Sequence, residues 1–159
     1  MIATAAAADL PELAALMAAS ALLQRYRVTH DSALESLETA QEAGDLLLVS
    51  RHQAAITGLA WLSFAPRVLN AAAYLRLLLV AESARNTGTG SRLLEAAEVR
   101  ARDHANHLYL LVTTDNTAAR RFYQRYGYRH VGDLPGLVWP DLDEALYHKT
   151  LRPHADRLG

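Results

Sequence analysis

Two stretches of the 159-residue chain combine residue types whose spacing suits ligand chemistry. The first is Val80-Ala-Glu-Ser-Ala-Arg-Asn-Thr-Gly-Thr-Gly-Ser-Arg-Leu-Leu94, which leaves an apolar run and enters a helical pattern. Gly88 and Gly90 permit unusual backbone angles and close approach of a ligand. Free backbone N–H groups at a helix start, together with the helix dipole, favour an anion there. Arg85 adds a fixed charge and a fork of donors suited to phosphate oxygens. The stretch therefore reads as a pyrophosphate cradle, with a glycine turn before an ordinary capped helix as the alternative. It is not a P-loop, because Ser91-Arg92 follows Gly90 where Lys-Ser/Thr is needed. It is not a dinucleotide fingerprint either, because Leu93 stands where a third small residue belongs.

The second stretch is Asp115-Asn-Thr-Ala-Ala-Arg-Arg-Phe-Tyr-Gln-Arg-Tyr-Gly-Tyr128. Asn116 sits at a helix start, as a cap or as a ligand contact. Tyr123 lies two turns along that helix, as a packed aromatic or as a proton donor. Arg120, Arg121 and Arg125 make a basic helix face.

Composition narrows the rest. Sixteen basic and 17 acidic residues leave a net charge of -1, against a general nucleic-acid binder. No cysteine is present, so thiolate nucleophiles, a cysteinyl acyl-enzyme, disulfides and Cys-ligated metals are excluded. Of the seven histidines, His104 and His107 are three apart but span a helix end and a strand start, so no metal is expected. No apolar run approaches a membrane span. The N-terminus carries Asp9 and Glu12 and lacks the basic start of a signal peptide, so a cytoplasmic protein without membrane partners is expected.

The elements that would hold these stretches alternate in type. A first strand is expected over 2–6. A helix follows over 10–23, with Asp9 as N-cap, Pro11 in the first turn and Glu12 completing a capping box. A second helix starts at Asp31 or Ser32 and stops at Gly44. Strand patterns follow over 45–51, 53–63 and 70–80, the last apolar on both faces at its end, as in a central strand. A helix over 89–104, a strand over 107–112, a helix to about Tyr126, and strands over 128–133 and 144–151 complete the chain. The stretch 134–143, holding Pro135, Gly136, Trp139 and Pro140, reads as a loop. The whole is one domain, 1–159, of mixed α/β type.

With both stretches in place, the chain resembles the GNAT N-acetyltransferase superfamily. Val80, Arg85, Gly88 and Gly90 match its Arg/Gln-x-x-Gly-x-Gly/Ala motif after a strand ending in Val. Asn116, Ala119, Phe122, Tyr123 and Gly127 match its Asn-x-x-Ala-x-x-Phe-Tyr-x-x-x-Gly-Phe signature, with Tyr128 in place of Phe. The resemblance implies a central mixed, mostly antiparallel sheet, with a splayed parallel strand pair and helices on both faces. It implies acetyl-CoA as cofactor and direct attack by a primary amine of a small molecule or peptide. Leu78, Leu79 and Val80 would pair with the pantetheine arm. Arg85, Asn86, Thr87, Gly88, Thr89, Gly90 and Ser91 would hold the pyrophosphate. Asn116, Ala119 and Phe122 would line the cofactor arm, and Tyr123 would protonate the leaving thiolate.

The resemblance places acceptor contacts in the loop after the first helix, with Tyr26 and Arg27, and before the last strand, with Trp139. Many members carry a carboxylate on the fourth strand where this chain has Arg76, which cannot be a base at neutral pH. Arg76 is then either an ion-paired strand residue or a clamp for an anionic acceptor. The departure also admits a second reading, an acyl-CoA-binding regulatory module without catalysis. Neither the general base nor the acceptor is legible, and a homodimer is compatible with the pattern.

Overall fold

A computed structural model describes residues 1–64 and 69–151. Strands β1 (Ile2–Thr4), β2 (Leu46–His52), β3 (Ala55–Phe64), β4 (Ala73–Val80), β5 (His107–Thr113), β6 (Arg129–Trp139) and β7 (Leu142–Thr150) form one sheet in the order β1-β2-β3-β4-β5-β7-β6. The β1–β2, β2–β3, β5–β7 and β6–β7 pairs are antiparallel, and the β4–β5 pair is parallel. The helices are α1 (Leu10–Ala18), α2 (Ala21–Arg25), α3 (His30–Glu42), α4 (Thr89–Ala101) and α5 (Thr117–Arg125). The part of the domain expected over 152–159 lies outside the described residues.

The chain divides into two compact units, Met1–Ser63 with Arg76–Arg100, and Phe64–Leu75 with Ala101–Gly159. In the first, Leu13, Ala14 and Met17 of α1 and Leu37 and Ala40 of α3 close on Leu47, Val49, Leu59 and Trp61. Leu77 and Leu79 pack against the same cluster. On the other side of β3, Gly58 faces α4, and a Cβ built on it would stand 2.7 Å from Leu93 Cδ1 and 2.9 Å from the Leu79 carbonyl oxygen. Only a residue without a side chain lets helix and strands approach so closely. In the second unit, Leu108, Leu110, Tyr128, Ala145 and Tyr147 are buried, and Arg120 of α5 donates to Tyr147 Oη at 2.9 Å.

Several expected boundaries move, each for a local reason. The first helix is two. Ser20, in an extended conformation, breaks it and recaps α2 by accepting from Leu23 N–H. Asp9 does not cap α1. Its Oδ2 accepts from Ala6 N–H at 2.8 Å and its Oδ1 pairs with Arg51 at 2.6 Å. Glu12 likewise leaves the helix end, accepting from Ile56 N–H at 2.7 Å. Helix α3 starts one or two residues early because Thr29 and Ser32 cap each other's backbone N–H groups. Helix α4 stops at Ala101 rather than His104.

The largest correction is at the stretch read as a loop, 134–143, most of which is strand. Trp139 pairs with Leu142, leaving only Pro140 and Asp141 as the turn. Pro135 is tolerated because β6 is the sheet edge, where a missing N–H breaks no ladder. The strand slips register between His130 and Gly132 and between Leu134 and Trp139. Gly136 takes φ +59° and donates its N–H to Asp143 Oδ1 at 3.0 Å.

Candidate active site

The first stretch forms a β4–turn–α4 unit. The ladder between β4 and β5 covers Ala73, Tyr74 and Leu75 against Leu108, Tyr109 and Leu110. Arg76 to Val80 do not extend it, and Leu78, Leu79 and Val80 are half-buried. After Val80 a short 3-10 turn, Glu82–Ala84, leads to Arg85, which is exposed and carries no ion pair among the described residues. Of the two loop glycines only Gly88 needs its freedom, with φ +78°. Gly90 already belongs to α4. Asn86 is also left-handed, at φ +60°, a conformation Asn accepts better than most residues.

The first backbone bond at the helix start runs from Arg92 N–H to the Gly88 carbonyl, 3.1 Å. The amides of Thr89, Gly90 and Ser91 ahead of it lack intrahelical partners, the condition for receiving an anion. Side chains brace the turn. Thr87 Oγ1 donates to the Ala84 carbonyl at 2.6 Å and lies 2.9 Å from Thr89 Oγ1. Arg92, which sequence reasoning passed over as a helix residue, donates to the Thr87 carbonyl and to Thr89 Oγ1, each at 3.2 Å. A Cβ on Gly88 would meet only Arg92 Nη1, at 3.3 Å, so the outer side of the turn is open.

The second stretch builds α5. Asn116 is its N-cap, with Oδ1 accepting from Ala119 N–H at 3.2 Å. The cap uses the carbonyl end, so neither amide N–H donor of Asn116 is taken up by it. Ala119 and Phe122 are half-buried. Tyr123 is 8% exposed, with its ring edge-on to Phe122 at 5.3 Å and to Tyr128 at 5.6 Å. Its hydroxyl has no partner among the described residues, yet no buried side-chain oxygen or nitrogen there is unpartnered. The hydroxyl therefore keeps a little exposure although the side chain as a whole is buried. Burial pushes its pKa above the ordinary tyrosine range.

The acceptor residues inferred from the resemblance lie on separate elements. Tyr26 and Arg27 follow α2. Arg27 is held at φ +60° as its N–H bonds the Gln24 carbonyl, a helix-stop position usually given to Gly. Trp139 ends β6 instead of lying in a loop. Arg76 is exposed on β4, and its Cζ lies 4.7 Å from the centroid of the Trp61 ring. Simple alternation would turn Arg76 away from Leu77, yet it reaches the tryptophan of the cluster that Leu77 packs on. Trp61 Nε1 donates to Asp45 Oδ2 at 2.7 Å, and Ser63 Oγ donates to the same oxygen at 2.8 Å. No short-range pattern marked Trp61, Asp45 or Ser63, because their partnership is tertiary. No group of three or more metal-ligating side chains occurs among the described residues.

The sequence profile of the acetyltransferase (GNAT) family matches residues 15–128, well over half of the chain. This chain belongs to the GNAT acetyltransferase family. Among curated proteins it is similar to the blasticidin-S acetyltransferase of Streptomyces morookaense, 42% identical over 62 residues. That match covers 39% of this chain and 46% of the relative, so less than half of the relative's length is spanned. Among solved structures, Ard1 of Thermoplasma volcanium superposes with a TM-score of 0.81 at 23% identity, over 96% of this chain and 98% of that one. The protein yncA of Salmonella typhimurium, solved with its cofactor acetyl-CoA, gives 0.76 at 19% identity, over 98% and 95%. At those identities the likeness is one of fold. The mixed sheet with its parallel β4–β5 pair is the fold that this chain shares with those structures. No helix among the described residues is long and apolar enough to cross a membrane.

Proposed function

We propose that this GNAT protein, as one catalytic domain, moves an acetyl group from acetyl-CoA directly to a primary amine of a small molecule or peptide. The Tyr123 hydroxyl, on a buried side chain and without a hydrogen-bond partner among the described residues, carries the reading. Such a group has no packing reason to be a tyrosine rather than a phenylalanine, and it suits a donor awaiting a ligand atom.

The residues fit the cofactor. The half-buried backbone of Leu78, Leu79 and Val80 offers peptide groups to the amides of a pantetheine arm. The amides from Gly88 to Ser91, with Arg85, present positive charge to a pyrophosphate. Asn86, Thr87 and Thr89 shape that turn, and Arg92 keeps it braced. Asn116 has two N–H donors that its cap does not use, with Ala119 and Phe122 supplying apolar surface beside it. Acetyl-CoA supplies an acyl group on a thioester. The amine nitrogen bonds to the acetyl carbon, the carbon–sulfur bond breaks, and CoA leaves as the thiol while the amine gives up a proton.

Tyr123 stays fully protonated at neutral pH, since its pKa is raised. A phenol is a weaker acid than a thiol, about pKa 10 against about 8.5 before any shift. Tyr123 therefore stabilises the developing thiolate chiefly as a hydrogen-bond donor, and the displaced amine proton completes the thiol. Tyr26, Arg27, Arg76 and Trp139 contact the acceptor in this scheme. The named activity of the Streptomyces relative makes blasticidin S one amine to include among the acceptors tested. Free CoA release with a panel of amino acids, polyamines, aminoglycosides, peptides and blasticidin S tests the reading. Acetyl-CoA that neither binds nor turns over with any amine would overturn it.

A further inference from the structure

Arg76 and its surroundings do more than fill a strand position. The guanidinium lies over the Trp61 ring, 4.7 Å from its centroid, a cation–π distance. The indole beneath is 3% exposed and is pinned by the bond from its Nε1 to Asp45 Oδ2. The carboxylate is fixed in turn by Ser63 Oγ. A guanidinium lying against a fixed ring keeps its N–H fork out of the stack. Among the described residues no carboxylate pairs with Arg76, although the side chain is exposed. A strand arginine that only served solubility would need neither the ring nor the half-buried carboxylate that pins the ring edge.

We propose that Arg76 is the anion subsite for the acceptor, so that the amine acetylated carries a carboxylate several methylenes away. Trp61, Asp45 and Ser63 are positioning residues that hold the fork. This rests on the reading that Leu78–Val80 carry the thioester arm. Arg76 stands two residues before Leu78, roughly 7 Å along the strand at about 3.3 Å per residue. An acceptor that spans that distance has several methylenes between carboxylate and amine, as in an ω-amino acid, because a single carbon separates the two groups of an α-amino acid. One guanidinium matches the single charge of a carboxylate, and its paired donors match the two oxygens.

The test is a set of acceptors that differ in one group: an ω-amino acid, its amide, the amine lacking the carboxylate, and the corresponding aminophosphonate. Wild type, Arg76→Gln, Arg76→Lys and Trp61→Leu are compared by kcat/KM, with folding checked by circular dichroism and melting. Wild type should favour the carboxylate over the amide by about 10–100-fold, the worth of a hydrogen-bonded charge. Arg76→Gln should remove that ratio through the acceptor KM, Arg76→Lys should keep part of it, and Trp61→Leu should reduce it. A wild type that prefers the amide, the bare amine or the phosphonate overturns the proposal, as does an unchanged ratio in Arg76→Gln. Calorimetry of the N-acetylated ω-amino acid with CoA-loaded protein gives a reading independent of turnover, and equal binding by wild type and Arg76→Gln also overturns it. CoA release with some other class of amine would leave the acetyltransfer reading standing while the anion subsite falls. No binding of acetyl-CoA and no turnover with any amine would bring both down.

Discussion

Gly58→Ala is the substitution whose effect the structure sizes most directly. The added methyl would lie 2.7 Å from Leu93 Cδ1, 2.9 Å from the Leu79 carbonyl oxygen and 3.0 Å from Ser50 Oγ. Leu93 is fully buried and has little room to rotate away. Leu79 O is backbone, and Ser50 Oγ is committed to Thr57 Oγ1 at 2.9 Å. Overpacking of this kind costs about 1–3 kcal/mol. Against it stands the stiffer unfolded chain that alanine brings, about 0.4–1 kcal/mol in favour of folding. The clash wins, with a net loss of about 1 kcal/mol. At roughly 2–4 °C per kcal/mol for a chain of this size, the melting temperature should fall by about 2–4 °C. Because the strain falls on Leu79, acetyl-CoA affinity should drop as well. Differential scanning calorimetry gives the first number and titration of acetyl-CoA the second. The double variant Gly58→Ala/Leu93→Ala tests the cause, since space opened at Leu93 should make the pair less destabilising than the sum of the two singles. An unchanged melting temperature, or strict additivity, would refute the close contact between β3 and α4.

Millimolar acetyl-CoA should raise the melting temperature by mass action, and Gly88→Val should abolish most of the shift, because a β-branched residue resists φ +78°. Tyr123→Phe should bind acetyl-CoA normally and lower kcat by about 10–100-fold, the range of a hydrogen bond to a charged group. Equal kcat under conditions where chemistry limits the rate would show that Tyr123 does not meet the sulfur. His148 is held below the usual histidine pKa, first by burial and then by His107, whose Nδ1 is 2.9 Å from His148 Nε2. Its protonation therefore favours the unfolded chain, so the stabilising contribution is present above about pH 6.5 and is lost as pH falls below that value. Wild type should lose more melting temperature between pH 7.5 and 5.5 than His148→Gln, and equal losses would exclude the pair as the cause.

The parts of the site that were legible in the sequence are contiguous. The turn at Arg85–Ser91 and the cap and tyrosine of α5 each fall within 14 residues, and local rules of glycine, capping and helical spacing describe them. What escaped was tertiary. Trp61 and Arg76 are 15 positions apart on neighbouring strands, and no periodicity links them to Asp45. Asp9 and Glu12 have the spacing of a capping box, yet Arg51 and the Ile56 amide outcompete the helix end for their carboxylates. Pro135 and Gly136 read as a loop because they are poor strand formers. Only the knowledge that β6 is an edge strand makes them acceptable.

That edge has a consequence for how the protein behaves in a crowded solution. A final strand of 11 residues with exposed Val131, Leu134, Leu137 and Val138 would ordinarily template the addition of another chain. Here the ladder groups it could offer are interrupted by Pro135, twisted by two register slips and flanked by Arg129 and Asp133. The irregularities that hid β6 as a strand are thus the features that stop the sheet from growing. Straightening it, by Pro135→Val with Gly136→Thr, would give the sheet a smooth open margin and turn a discrete particle into a seed for fibres.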